Sequence, residues 1–301
     1  MNLKKIQAFL FSQKIAPYVF ILPFIVSLSF FWIYPMYSTI NMSFHNIGNG
    51  YSEYIGLANY EKLLGDKVFH IAVRNSVIYT IFTLIILIPI PMLCAFLLNS
   101  KSVVGKRIYK SIIYLPALVS VVVAGILFRY MFSEMDTGLM NQILNFFGLE
   151  SKQWLKNWGT GMFALLLLAT WRWTGVNTLY FEAGLSSIDE VLYESAKVDG
   201  ANAWQRFWHI TLPLLKPTRI YVTTISIYAG LAMFLESFMI YGSNNSPKNI
   251  GLTIVGYLYR RGIEKNDLGY ASAVGLVLLI VALSISMVYL VSSGMFKKEA
   301  K

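Results

Sequence analysis

The chain offers little to a reaction mechanism. Its three histidines, His45, His70 and His209, and its single cysteine, Cys94, are scattered without metal-ligand spacing, and no GxxxxGK[ST] sequence is present to cradle a nucleotide phosphate. A lone cysteine also excludes an internal disulfide. The residues whose types and spacing could do chemistry are ionisable and aromatic groups set inside apolar runs. Arg172 and Glu236 lie deep in two such runs, where a charge is costly and faces the interior of a bundle. They could pair with each other or line an aqueous path.

Around Arg172 stand Trp171, Trp173, Asn177 and Tyr180. Trp173, Asn177 and Tyr180 are spaced by four and then three, so they share one helix face. The run that holds Glu236 adds Tyr228, Ser237 and Tyr241. Aromatic platforms beside hydrogen-bonding groups suit a sugar, which presents apolar ring faces edged by hydroxyls. Core packing and interfacial aromatic belts draw on the same residues. Arg74, Arg129 and Glu182 fall near run ends, where their long stems let the charge reach water.

The elements that must position these groups are membrane spans. The chain of 301 residues is 56% apolar and 13% charged, and an apolar helix needs about 20 residues to cross roughly 30 Å of hydrocarbon. Six runs qualify, at 17–40, 71–98, 111–132, 161–182, 218–241 and 268–291. Every backbone N–H in hydrocarbon needs an internal partner, so the expected fold class is all-α, a polytopic membrane protein of six transmembrane helices. Pro89 and Pro91 predict a kink in the second span. The start is basic like a signal peptide, but the apolar segment after it is too long, which makes it a retained anchor helix.

Basic residues of short loops accumulate on the cytoplasmic side. With both ends inside, the inner segments hold Lys4, Lys5, Lys14, Lys101, Lys106, Arg107, Lys110, Lys197, Arg206, Lys216, Arg219, Lys297, Lys298 and Lys301. The outer ones hold Lys62, Lys67, Lys152, Lys156, Lys248, Arg260, Arg261 and Lys265. Fourteen against eight predicts cytoplasmic termini. The last outer loop is the weak point, and its 251–263 stretch reads as an amphipathic helix at the outer interface. A net charge of +10 concentrated on the inner side suits anionic lipid better than nucleic acid. The resulting division is a cytoplasmic start (1–16), one transmembrane domain (17–296) with a polar inner loop at 186–217, and a short tail (297–301).

That inner loop is too long to be a mere connection. Ser187, Asp189 and Glu190 predict a capped helix start, Gly200 a stop, and 202–209 a second short helix with Trp204, Phe207 and Trp208 on one side. Pro213 and Pro217 are read as ending the unit. Such a helix–turn–helix is either a docking plug or a segment lying on the inner leaflet.

The spacing within it resembles a family. Permeases of binding-protein-dependent ATP-binding-cassette importers carry Glu-Ala-Ala, three residues, Gly, nine residues, then Ile-x-Leu-Pro. Here Glu194, Ser195, Ala196, Gly200, Ile210, Leu212 and Pro213 fall at those positions, with Ser195 the one departure. The stretches GLANY (56–60), YLP (114–116), 184–188 and GYASA (269–273) are similar to six-helix permeases of carbohydrate importers of the maltose and glycerol-phosphate type. NNSPKNIGLTIVGY (244–257) and FKKE (296–299) look most like arabinose-oligosaccharide permeases of Gram-positive bacteria.

The resemblance implies a type I importer permease fold whose 186–217 loop inserts into a separate ATPase. Glu194 would contact that ATPase, Gly200 would allow the turn, and Ala196 and Ser195 would permit close approach. It implies a second homologous permease, two ATPase subunits and a lipid-anchored or periplasmic solute-binding protein as partners. No cofactor would be bound by this chain, and ATP and Mg would sit on the ATPase. The cargo would be a sugar, most simply an oligosaccharide, with a monosaccharide or a polyol phosphate as alternatives. An ion-coupled secondary transporter would need midplane carboxylates, for which Glu236 is the candidate, and often inverted repeats, which are not evident.

Overall fold

The computed structural model describes residues 11–48, 50–100, 103–242, 244 and 246–295. Lys4, Lys5, Lys101, Asn245 and everything from Phe296 onward, FKKE included, lie outside the described residues. The fold is mostly helical and falls into two units, Met1–Gly65 with Arg261–Leu276, and Asp66–Arg260 with Val277–Lys301.

In the first unit an apolar helix, Ala16–Leu28, runs through a π-helical turn at Ser29–Ile33 into Tyr34–Ser43. Nothing in Ala16–Leu28 is buried by protein, as expected of a helix solvated by lipid. The chain then departs from the all-α expectation. His45–Gly48 and Tyr51–Tyr54 form an antiparallel hairpin that pairs His45 with Tyr54. The hairpin lies beyond the apolar run, where the demand for internal pairing of every N–H no longer holds. The GLANY stretch secures it, because the Asn59 amide donates to the carbonyls of Ser43 and His45 at 2.9 and 3.0 Å and the Tyr60 hydroxyl donates to Ser43 Oγ at 2.7 Å. In GYASA the ring of Tyr270, fully buried, lies under both Lys62 and Arg261 at 4.7 and 4.5 Å, and Asp267 pairs with both cations.

Ala58–Gly65 also belongs to the first unit, Leu268–Ser292 is divided between the two, and the second unit contains most of the other helices. Among the described residues three helices are long and apolar enough to cross a membrane, Ala16–Ser43, Lys67–Asn99 and Leu268–Ser292, or five if each of two bent pairs counts as one span. Trp158–Ser186 has the length, 29 residues, but carries Arg172 and Glu182 and falls outside that set. Its packing with Tyr79, Phe128, Phe132, Met233 and Ile240 around Leu165 and Leu168 forms the main core.

The expected third span, 111–132, is not one helix. Lys106–Leu118 and Val121–Met131 meet at 95°. Pro116 removes an amide from the last turn, and Val119 and Ser120 turn extended. The first half is clamped elsewhere, since Lys110 Nζ pairs with Glu182 at 3.0 Å and Tyr114 donates to the same carboxylate at 2.6 Å. Glu182 is therefore held by protein and does not reach for water alone. The fifth span also bends, by 43°, between Lys216–Leu231 and Leu235–Tyr241.

The 251–263 stretch is not an amphipathic helix on a membrane surface. Its helix, Ile254–Tyr259 continued by a π-helical turn at Arg260–Glu264, buries Ile254 and Tyr257 after the buried Leu252. The surrounding backbone groups are claimed by side chains of the unit. Asn75 donates to the carbonyls of Asn249 and Leu252, both at 3.0 Å, Ser76 Oγ accepts from Ile254 N, and Ser237 Oγ donates to Gly251 O. Buried backbone needs partners, and this segment finds them inward. Arg260 donates to Asn249 Oδ1 and to the carbonyl of Asn244. Two of the four basic residues that weaken the charge bias of this loop, Arg260 and Arg261, thus have internal structural partners.

Candidate functional site

Two regions of the second unit collect the candidate residues. The first is the 186–217 loop. Its opening helix is Glu190–Val198, and the cap is Asp189, whose Oδ1 accepts from Val191 N at 3.0 Å; Ser187 instead bonds back to Gly184 O. Asp189 sits one residue before the helix, the place where a carboxylate reaches free N–H groups, and Ser187 lies too early. Gly200 ends the helix in the left-handed region at φ +83°, with open space where a Cβ would be. Asn202 and Gln205 then form a reciprocal capping box that starts Ala203–Arg206, which continues as a π-helical turn through Phe207–Thr211. Pro213 and Pro217 do not end the unit. Each lies in the first turn of a following helix, where a missing N–H costs nothing.

The two short helices are tied together. Tyr193 and Thr211 share a 2.9 Å hydrogen bond, and Arg206 donates to Ala201 O at 2.6 Å. Between them lies a concavity of about 270 Å³ lined by Ala196, Gly200 and Ile210 together with Asp199, Gln205, Arg206 and His209. Glu194 and Ser195 lie outside it and are exposed, Leu212 is half-buried and Pro213 exposed. Trp204 stacks on Phe207 at 5.7 Å and meets Trp208 edge-on at 5.6 Å. Phe207 is buried against Phe96 at 4.9 Å, which fastens the loop to the Pro89–Asn99 helix. Val191 and Val198 are left exposed, Val198 to 87%.

The second region is a cavity of about 150 Å³ walled by three helices. Each presents a stripe at helical spacing: Tyr79, Thr83 and Leu87; Trp173, Val176, Asn177 and Tyr180; Ser226, Ala229, Gly230 and Met233, with Glu236 beyond the bend. Of the sequence candidates the cavity gathers Trp173, Asn177, Tyr180 and Glu236. Arg172 stands behind, its NH1 3.6 Å from Glu236 Oε1 and its guanidinium over the Trp173 ring at 5.4 Å. The two charges pair, with side chains only 11% and 13% exposed.

The others lie elsewhere. Trp171 packs on Phe128 at 5.7 Å, Tyr228 is 63% exposed, Ser237 is spent on Gly251, and Tyr241 packs against Gly251 and Gly161. Arg74 lies over Trp158 at 5.7 Å, and Arg129 packs against the Gly242 backbone.

Two helix breaks border the cavity. One is at Ile88, between Leu87 and Pro89, and the other at Ala232 to Phe234, beside Met233. Pro91 has no N–H to give to Leu87, four residues back, and the Asn177 amide takes its place at 2.9 Å. The proline kink and Asn177 are therefore one device. Irregular backbone at membrane depth is tolerated where it is buried in protein or lines a cavity, and both conditions hold here.

Sequence reasoning missed Tyr79, Thr83 and the Ser226–Met233 stripe. Their signal was the repeat of small or polar residues every three to four positions in otherwise apolar helices. It also missed Asn141, fully buried, whose side chain binds Ser133, Met135, Lys152 and Trp154 and so organises the segment after Val121–Met131.

The model of the binding-protein-dependent transport system inner membrane component family matches residues 87–298. The arabinooligosaccharides transport system permease protein AraP of Bacillus subtilis is 50% identical, over 96% of this chain and 92% of its own length. The protein of the same name from Halalkalibacterium halodurans is 49% identical, over 95% and 90%. Among solved structures, a chain of a bacterial ABC transporter involved in the import of the acidic polysaccharide alginate superposes with a TM-score of 0.83 at 26% identity, covering 94% of this chain and 96% of that one. A second structure shows a bacterial alginate ABC transporter in complex with a periplasmic protein bound to an alginate pentasaccharide, at the same TM-score and 27% identity, covering 94% and 95%. The chain belongs to the family of inner membrane components of binding-protein-dependent transport systems.

Proposed function

We propose that this chain is one of two six-helix permease subunits of an ATP-driven importer and that its cargo is a neutral plant-derived oligosaccharide, an arabinose oligomer being the first to test. The observation that carries the mechanism is the 186–217 loop. Of the seven motif residues, Glu194, Ser195 and Ala196 lie on the first of two mutually bonded short helices, Gly200 at the turn, Ile210 at the end of the second, and Leu212 and Pro213 in the helical turn that follows; Ala196, Gly200 and Ile210 converge on one concavity. The surface beside it exposes Glu194, Val191 and Val198. An ATPase partner holding two copies would bind this plug and pass its closure through Phe207 and Phe96 to the kinked second span.

Trp158–Ser186 is read as the remaining span. It is long enough to cross, and its charges are neutralised by Lys110 and Glu236. Six spans would put both termini on one side, the excess of basic residues in the inner loops supports the cytoplasm as that side, and the 244–260 segment would then face outward, toward a solute-binding protein. ATP and Mg would be held by the ATPase and not by this chain. The cavity at the two helix breaks is the half of the sugar path that this subunit contributes. Its 150 Å³ is below the roughly 300 Å³ at which ligand pockets begin, so a second permease must complete the wall.

The similarity to the AraP proteins over nearly the whole chain supports the choice of cargo. The test is ATP hydrolysis by the reconstituted complex with its binding protein. Arabinose oligomers should stimulate it. Stimulation by glycerol phosphate and by no oligosaccharide would overturn the cargo reading.

A further inference from the structure

The cavity has an electrostatic asymmetry. Among the described residues its lining contains no Lys, Arg or His, and Glu236 is the one carboxylate in it. Arg172, which pairs with that carboxylate, is not part of the wall; it is held behind by one 3.6 Å contact to Oε1 and by the face of Trp173. A solute entering therefore meets the acid before the base. Hydroxyl groups can donate to a carboxylate in a charge-assisted hydrogen bond, whereas the ionised carboxylate of a uronate or a phosphate dianion has no proton to give and is repelled.

We infer that Glu236 is a specificity-determining residue that admits uncharged glycans and rejects anionic ones of the same size, an inference that rests on the sugar-path reading of the cavity. Arg172 is the positioning residue: its 3.6 Å ion pair holds the Glu236 carboxylate at the cavity wall.

The experiment is uptake by the reconstituted importer, with its binding protein, of arabinotriose and of the same trisaccharide oxidised at its reducing end to the aldonic acid. Wild type should favour the neutral chain. Glu236→Gln leaves Arg172 unopposed, and the ratio of neutral to acidic uptake should fall by roughly tenfold, the effect of removing one charge and exposing its opposite at contact range. A double variant, Arg172→Gln with Glu236→Gln, carries no unpaired buried charge and covers the case in which the single variant does not insert. Its ratio should fall to that of the binding protein alone, measured separately as the ratio of the two affinities. A neutral-to-acidic ratio equal in wild type and either variant would overturn the inference. Failure of the wild-type complex to take up either chain would instead overturn the cargo reading beneath it.

Discussion

The 186–217 loop and the three-helix cavity carry comparable weight in the account, yet they are built in opposite ways. The loop is local: its caps, its turn and its tie between Tyr193 and Thr211 all lie within about twenty-five consecutive positions, and its working surface is exposed. The cavity is assembled from stripes that lie far apart in sequence, with a wall that depends on two helix breaks and on an amide, Asn177, ninety residues from the carbonyl it serves. A site of the first kind tolerates change within its scaffold and fails at its contacts. One of the second kind fails when any supporting partner is lost.

The contrast can be broken at its strongest point first. Glu194→Lys reverses a charge at the exposed docking face, where no internal contact holds the side chain among the described residues. Transport should drop by roughly 100-fold, as expected for a charge reversal at an interface, while membrane insertion and thermal stability stay unchanged. Uptake together with co-purification of the ATPase checks this, and normal uptake would count against the docking role.

Asn177→Leu attacks the cavity's scaffold instead. It leaves the Leu87 carbonyl buried and unpaired, which should cost about 1–3 kcal/mol, visible as a lower Tm of the purified complex. Adding Pro91→Ala restores an N–H four residues after Leu87 and should recover part of that loss; no recovery would sink the claim that proline and asparagine are one device. Gly200→Ala meets no steric obstacle but forces a side chain into the left-handed region, so about 1–2 kcal/mol should be lost from the loop alone. Hydrogen exchange should then rise across 190–211 and nowhere else. Ser195→Ala should change uptake less than twofold, since the exposed hydroxyl reaches only Leu192 O at 3.3 Å.

The same contrast explains what could be read in advance. The helix, glycine stop and second helix of the loop were legible because caps and turns are set by neighbouring residues; the cap shifted from Ser187 to Asp189, and Pro213 and Pro217 open following helices instead of ending the unit. Among the described residues, three apolar spans, or five if each bent pair is one, were legible from apolar length. Straightness was not, because Pro116 marks where the helix can break but not the 95° angle, and the partner that holds the first half, Glu182, lies 68 positions from Tyr114. The hairpin at 45–54 and the burial of 252–257 escaped for the same reason. Their backbone partners, Asn59 in one case and Asn75, Ser76 and Ser237 in the other, are distant polar side chains that no periodicity announces. Of the candidate cargo residues, the stripe Trp173, Asn177 and Tyr180 lines the cavity because helical spacing alone puts it on one face. Trp171 and Tyr228 were chosen for side-chain type, and type does not report direction.

The central claim is that this chain receives a power stroke at its 186–217 loop and transmits it to a sugar path. Its most direct test is ATP hydrolysis by the reconstituted importer, with the binding protein, in the presence and absence of arabinotriose. Wild type should hydrolyse ATP faster when the sugar is present, and the Glu194→Lys complex should show no sugar dependence. Equal sugar stimulation in both would contradict the account.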